Sequence, residues 1–290
     1  MYYNLGDSVE ILIIVLIVLA TLKVTFQGIF ARKHISNIVE SISFNGVIYF
    51  FASLIFSYAL KCSLPVIAFA SLFGLLTVLF QLFYITAMRC GNISLTVLIV
   101  NSSMIIPIIV SVLFFNERLG ILKIIGIAAI FIALFLSTEK SIMKFNSKWI
   151  LFSLLAFLTN GSLAVCQQMF GKTIWRKEGI SFVAWSYLLA TGISFVIYLV
   201  FKSKQKESGL KINNRALLYG LFIGVILGVF QLLNTKAIAT IDAGLFFPVY
   251  NGGTLLLTTI MGVFLFKERL RRKQIASIVV GIIGIVLINI

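Results

Sequence analysis

The stretch Phe80-Gln81-Leu82, followed by Leu113-Phe114-Phe115-Asn116-Glu117-Arg118-Leu119, returns later in the chain. There it reads Phe230-Gln231-Leu232, followed by Phe264-Leu265-Phe266-Lys267-Glu268-Arg269-Leu270. The chain is a duplication. Gln81 and Gln231 stand about half of the 290 residues apart, and Glu117 and Glu268 stand one residue further, so one residue was gained between the two echoes. In a hydrophobic chain, a half-length repeat is how many transporters are built, with the substrate site between the halves.

Composition excludes most alternatives. Hydrophobic residues make up 60% of the chain, charged ones 11%, and mean hydropathy is +1.10. A soluble domain carries about a quarter charged residues, so this composition predicts an integral membrane protein. A bilayer core about 30 Å thick needs roughly 20 apolar residues per helix. Ten such runs are readable: Val9–Phe30, Ile38–Leu60, Pro65–Met88, Ile93–Phe115, Leu119–Ser137, Trp149–Gly171, Ile180–Phe201, Ala216–Ala237, Ala243–Phe266 and Gln274–Ile290. The expected fold is all-α, with ten transmembrane helices arranged as two five-helix repeats, residues 1–140 and 141–290. No loop is long enough to fold as a soluble domain. The segment before the first run holds Asp7 and no Lys or Arg, unlike the basic start of a cleavable signal peptide, so this helix is expected to be retained.

Five helices per repeat is an odd number. The second copy must then enter the membrane from the opposite side, and the halves are expected to be inverted. An inverted pair provides two similar energy minima, one open to each side, as alternating access requires. That pattern favours a carrier over a channel, whose filter is usually a ring of subunits.

The chain has 24 Lys and Arg against 9 Asp and Glu, a net charge of +15. Nucleic-acid binding is one reading of such an excess. The positive-inside rule is the simpler one. Basic residues concentrate after runs one, three, five, seven and nine, as in Arg32-Lys33, Arg89, Lys140 to Lys148, Lys202 to Arg215 and Lys267 to Lys273. The loops between hold fewer. This count places the alternate loops in the cytoplasm and both termini outside.

The residues also resemble a known family. The third run ends in an Ala-containing turn (Ala87, Ala237), and the polar fourth closes in Asn116-Glu117-Arg118-Leu119 or Lys267-Glu268-Arg269-Leu270. A Gly-bearing fifth follows (Gly120, Gly126; Gly281, Gly284). This pattern resembles the EamA family of the drug/metabolite transporter superfamily, over the whole chain. The resemblance implies transport in the cytoplasmic membrane, of substrates that range from amino acids, sugars and nucleotide sugars to polyamines and toxic compounds. It also implies termini that usually face the cytoplasm, contrary to the charge count. Glu117 and Glu268 each stand at the start of the next helix, where a carboxylate can cap free amides at the positive end of the helix dipole; direct contact with the substrate is the alternative.

Polar residues in mid-span are costly in lipid unless they face a partner or a water-filled cavity. Gln81 and Tyr84 share a face of helix three, and Gln231 and Asn234 occupy the matching positions of helix eight. Helix four carries Asn101, Ser102 and Ser103 near its centre; its counterpart carries Tyr250, Asn251 and Thr254. Asn160 and Gln167 align over two turns. All are candidates for a substrate cavity, against the alternative that they join helices by hydrogen bonds. Trp185 and Tyr187, with Tyr49 and Phe50, could wall an aromatic or apolar substrate. Pro107 and Pro248 are expected to kink helices four and nine and to free carbonyls towards the cavity.

Asp and Glu are absent from the middle of every run; Glu10, Glu40 and Asp242 lie near predicted ends. Proton-coupled export of cations, which relies on a membrane carboxylate, is therefore disfavoured. The one deep charge is Lys23, which either snorkels to the surface or faces the cavity and attracts an anion. No Gly-rich phosphate loop, carboxylate pair or nucleophile with a histidine partner suggests an enzyme. Cys62, Cys90 and Cys166 share no metal or redox spacing, and neither a metal nor a cofactor is expected. The expected partners are the lipid bilayer and a small-molecule substrate, with no nucleic acid. Glycines on helices five and ten could serve a homodimer or the packing of each half.

The chain is thus expected to move a small neutral, zwitterionic or anionic metabolite, such as an amino acid, as an exporter or facilitator. A flippase for a lipid-linked intermediate, a multidrug exporter, a channel and a structural or sensory role are the competing readings.

Overall fold

A computed structural model describes residues 5–35, 37–91, 93–137, 147–205, 214–266 and 272–289. The first half consists of α1 (Leu5–His34), α2 (Ile38–Leu54), α3 (Leu64–Cys90), α4 (Ile93–Asn101), α5 (Ile105–Phe115) and α6 (Ile121–Ser137). The second consists of α7 (Ser147–Gly171), α8 (Gly179–Gln205), α9 (Asn214–Thr240), α10 (Ala243–Phe266) and α11 (Arg272–Asn289). A 3₁₀ turn, Ser102–Met104, joins α4 to α5. No strand occurs among the described residues.

Local chemistry sets several ends. Asn37 caps α2, its side-chain oxygen accepting the Glu40 N–H at 2.7 Å. Pro65 sits in the first turn of α3, where a missing N–H is harmless. Asn116 ends α5 in the left-handed region, at φ 55° and ψ 29°.

Among the described residues, seven helical stretches are long and apolar enough to cross a membrane: those in α1, α3, α4–α5, α7, α8, α9 and α10. The three remaining runs form shorter apolar helices, Ile38–Leu54, Ile121–Leu136 and Ile275–Ile288. Of these, Ile38–Leu54 falls short of its expected end because the chain leaves α2 and turns through a 3₁₀ segment, Ser57–Ala59. Large apolar side chains such as Ile121, Phe135, Phe195 and Leu218 are exposed on the outer faces, as contact with lipid tails would require.

Packing between the halves is reciprocal. α1 packs on α9 and α10, while its counterpart α7 packs on α3, α4 and α5; α2 packs on α9 as α8 packs on α3. The remaining equivalents pair with each other, α2 with α8 and α6 with α11. Both of these pairs run in opposite directions. Tyr49 stacks on Tyr187 at 5.7 Å while Gly46 faces Ser194. On the other pair, Gly126 abuts Gly284 and the Ser277 hydroxyl donates to the Ala133 carbonyl at 2.7 Å.

The core repeats too. Phe30 stacks on Phe44 at 4.0 Å, and Phe170 on Phe182 at 4.2 Å. Tyr219 packs against Phe30 at 5.2 Å as Phe69 does against Phe170 at 5.8 Å. Gly74 and Gly224 hold equivalent places where two backbones meet. A Cβ on Gly74 would lie 2.6 Å from the Ser186 carbonyl oxygen, and one on Gly224 would lie 2.8 Å from that of Ile48. Small residues permit such approach where lipid supplies no hydrophobic force between helices.

Candidate functional site

Between the halves lies a cavity of about 210 Å³. Its walls come from both repeats, and several positions recur in pairs: Gln81 with Gln231, Phe80 with Phe230, Thr77 with Leu227, and Tyr49 with Tyr187. The pairing follows from the reciprocal helix packing, which brings the same face of α3 and α9 to the centre.

Of the residues singled out in the sequence, Lys23, Tyr49, Gln81, Ser103, Asn160, Gln167, Tyr187, Gln231, Asn234, Tyr250 and Asn251 line this cavity. Lys23 therefore faces the interior. No described residue hydrogen-bonds or ion-pairs with its ammonium, and no Asp or Glu is among the lining residues. Tyr187 contributes the aromatic wall and stacks on Tyr49.

Tyr84, Asn101, Ser102, Trp185 and Thr254 do not line it, which corrects their reading as wall residues. Trp185 is turned away, its indole N–H donating to the Lys61 carbonyl at 3.1 Å. Phe50 is 45% exposed on the outside. Tyr84 stacks on Phe80 one turn earlier, at 5.5 Å. The Ser102 and Thr254 hydroxyls bond to carbonyls of their own helices, Leu98 at 2.9 Å and Tyr250 at 2.7 Å. Such back-bonding removes the need for a cavity partner.

Asn101 fails to mirror Asn251 because helix four is broken. A 3₁₀ turn advances about 120° per residue against 100° in an α-helix, so three residues rotate the two halves by roughly 60°. Ser103 and Met104 take the wall position instead. Pro107 stands three residues into α5, and its missing N–H leaves the Ser103 carbonyl without its helical donor. Pro248 stands inside α10, which runs as one helix from Ala243 to Phe266. Asn160 braces the break, its Nδ2 donating to Ser103 Oγ at 2.7 Å and to the Val100 carbonyl at 3.4 Å.

The Glu117 carboxylate is a cap, but of a different helix. Its Oε2 accepts the Ala243 N–H at 2.8 Å, at the start of α10 in the other half, rather than amides of α6. Lys172 lies 4.0 Å from Oε1. Glu268 lies outside the described residues. Sequence reasoning missed Phe73, Thr77, Leu163, Ala164, Phe246 and Phe247 as wall residues. The equal spacing of Phe80 and Phe230 was the available signal for the aromatic part.

The comparisons with known proteins agree with this architecture. The profile of the EamA-like transporter family matches residues 11–138 and 147–290, one match per repeat. No curated protein matches the sequence. Among solved structures 28 chains match. One of them, a crystal structure, is 13% identical with a TM-score of 0.77, covering 97% of this chain and 96% of that one, a likeness in fold alone. With both repeats matched and apolar helices throughout, this multi-pass membrane chain belongs to the EamA-like transporter family.

Proposed function

We propose that the protein carries a small neutral, zwitterionic or anionic metabolite across the cytoplasmic membrane by alternating access, as an exporter or a facilitator. The observation that carries this reading is the cavity between two reciprocally packed halves, lined by amides, tyrosines and Lys23, which pairs with no described residue. In this reading all ten apolar helices cross the bilayer and the repeats are inverted, which the opposed directions of α2 with α8 and α6 with α11 support. Rocking about the shared axis would then open the same site to either side.

The absence of an acidic residue from the described cavity wall argues against exchange of protons for lipophilic cations. At about 210 Å³ the cavity is smaller than the roughly 300–1,000 Å³ of sites for drug-sized ligands, which favours a metabolite over a bulky drug or a lipid-linked substrate. The test is reconstitution of the purified protein in liposomes with a panel of amino acids, organic acids, sugars, nucleotides and polyamines. Saturable flux of a small metabolite is expected; linear flux without saturation points to a channel and overturns the proposal.

A further inference from the structure

Where α7 meets α9, the polar side chains form a directed chain of hydrogen bonds that starts on a backbone carbonyl. A carbonyl can only accept. Thr235 Oγ1, 2.8 Å from the Gln231 main-chain oxygen, must therefore donate to it. The Thr235 lone pairs are left to receive Gln167 Nε2 at 2.6 Å. This turns Gln167 Oε1 towards Asn234, whose Nδ2 donates to it at 3.0 Å. The orientation of the Asn234 amide is thus fixed by three successive bonds, and its Oδ1 is presented as an acceptor. That atom is buried and has no hydrogen-bond partner among the described residues.

One turn earlier on α9, Gln231 is only 5% exposed. Its Oε1 accepts the Tyr187 hydroxyl at 3.3 Å, and its Nε2 has no partner among the described residues. Lys23 is the third unpaired group on the same cavity. Its counterpart under the repeat, matched through the Phe30 and Phe170 stacks, is Leu163, which also lines the wall. The shape of the site is nearly two-fold, but its charge is one-sided. A cation and an amide donor call for an anionic group, whereas Asn234 Oδ1 calls for a donor.

We propose that Asn234 Oδ1, locked as an acceptor by the Gln231–Thr235–Gln167 chain, selects small acids that carry a hydrogen-bond donor beside the anionic group. The anion is matched to Lys23 and the Gln231 amide. This rests on the transport reading above and narrows its substrate to amino or hydroxy acids. Asn234 touches the substrate; Thr235, buried behind the wall and not lining the cavity, is a positioning residue. An acid without the donor leaves a buried acceptor unpaired, which weakens binding about tenfold to a hundredfold.

The test measures binding to the full-length purified protein by calorimetry, with two matched sets. One is alanine, lactate, propionate and ethylamine; the other is phenylalanine, phenyllactate, phenylpropionate and phenethylamine. In at least one set the amino or hydroxy acid should bind at least about tenfold more tightly than the donor-free acid, and the amine should bind weakly. The amino and hydroxy arms separate an ammonium from a hydroxyl as the donor. Asn234→Leu should erase the preference, Thr235→Val should narrow it, and Thr235→Ser should restore it. Equal binding of donor-bearing and donor-free acids, failure of every acid to bind, or an unchanged preference in Thr235→Val overturns the proposal. If a sugar or another metabolite shows saturable flux while every acid fails, this inference falls and the transport reading stands. Absence of saturable flux for any compound overturns the transport reading itself.

Discussion

The Glu117 carboxylate accepts a 2.8 Å hydrogen bond from the Ala243 amide, so the first repeat caps the helix that opens the fourth position of the second. Lys172, 4.0 Å from the other carboxylate oxygen and 5.6 Å from the Phe115 ring centre, adds a link from the turn after α7. Replacing Glu117 by Ala should lower stability by about 1 kcal/mol, the usual worth of a cap. Glu117→Gln keeps an acceptor and should lose less. Thermal unfolding in detergent would rank the two; equal losses would show that the Ala243 bond contributes nothing.

Gly74 sits against backbone, not against a side chain that could move aside. Gly74→Val should prevent α3 from seating on α8 and reduce the yield of monodisperse protein severely, because the new Cβ meets the Ser186 carbonyl at 2.6 Å. Gly28→Ala is the control, with no described atom within 4 Å of its added methyl. It should fold as well as the parent or gain up to about 1 kcal/mol from helix propensity. A well-folded Gly74→Val protein would refute the close contact.

Asn251 lines the cavity and Asn101 does not. Asn251→Ala should therefore raise the KM for the transported compound, while Asn101→Ala should leave transport kinetics unchanged. Initial rates in proteoliposomes would check this. Equal impairment would restore the symmetric pairing that the sequence suggested.

Cys62 is exposed in the turn between α2 and α3, whereas Cys166 is buried. If the basic loops lie in the cytoplasm, the turn holding Cys62 faces outward. A membrane-impermeant maleimide added to intact cells should then label Cys62. Labelling only after the cells are opened would place the termini inside, as the family resemblance implies.

The echo of Gln81 in Gln231 and of Glu117 in Glu268 was enough to read two repeats, because register along a duplicated helix survives in residue spacing. The apolar runs were equally legible, since bilayer thickness fixes their length. The Phe30 and Phe170 stacks, by contrast, join helices that only folding brings together. The same holds for Tyr187, named with Trp185 as a wall aromatic: the two lie less than one turn apart on α8, yet one lines the cavity and the other bonds to Lys61.

The sequence by itself determined the membrane class, the duplication, the family and most of the polar residues that meet at the centre. It could do so because hydropathy, repeat spacing and helical phase are properties of short windows. Tertiary structure alone decided that Lys23 faces inward, that Glu117 caps α10 in place of its neighbour, and that Ser103 replaces Asn101 on the wall. Those outcomes depend on which helix packs against which, and on one 3₁₀ turn that rotates half a helix against the other. The direction of the Asn234 amide belongs with them, since it is fixed by a chain of bonds that begins at a carbonyl and crosses between helices.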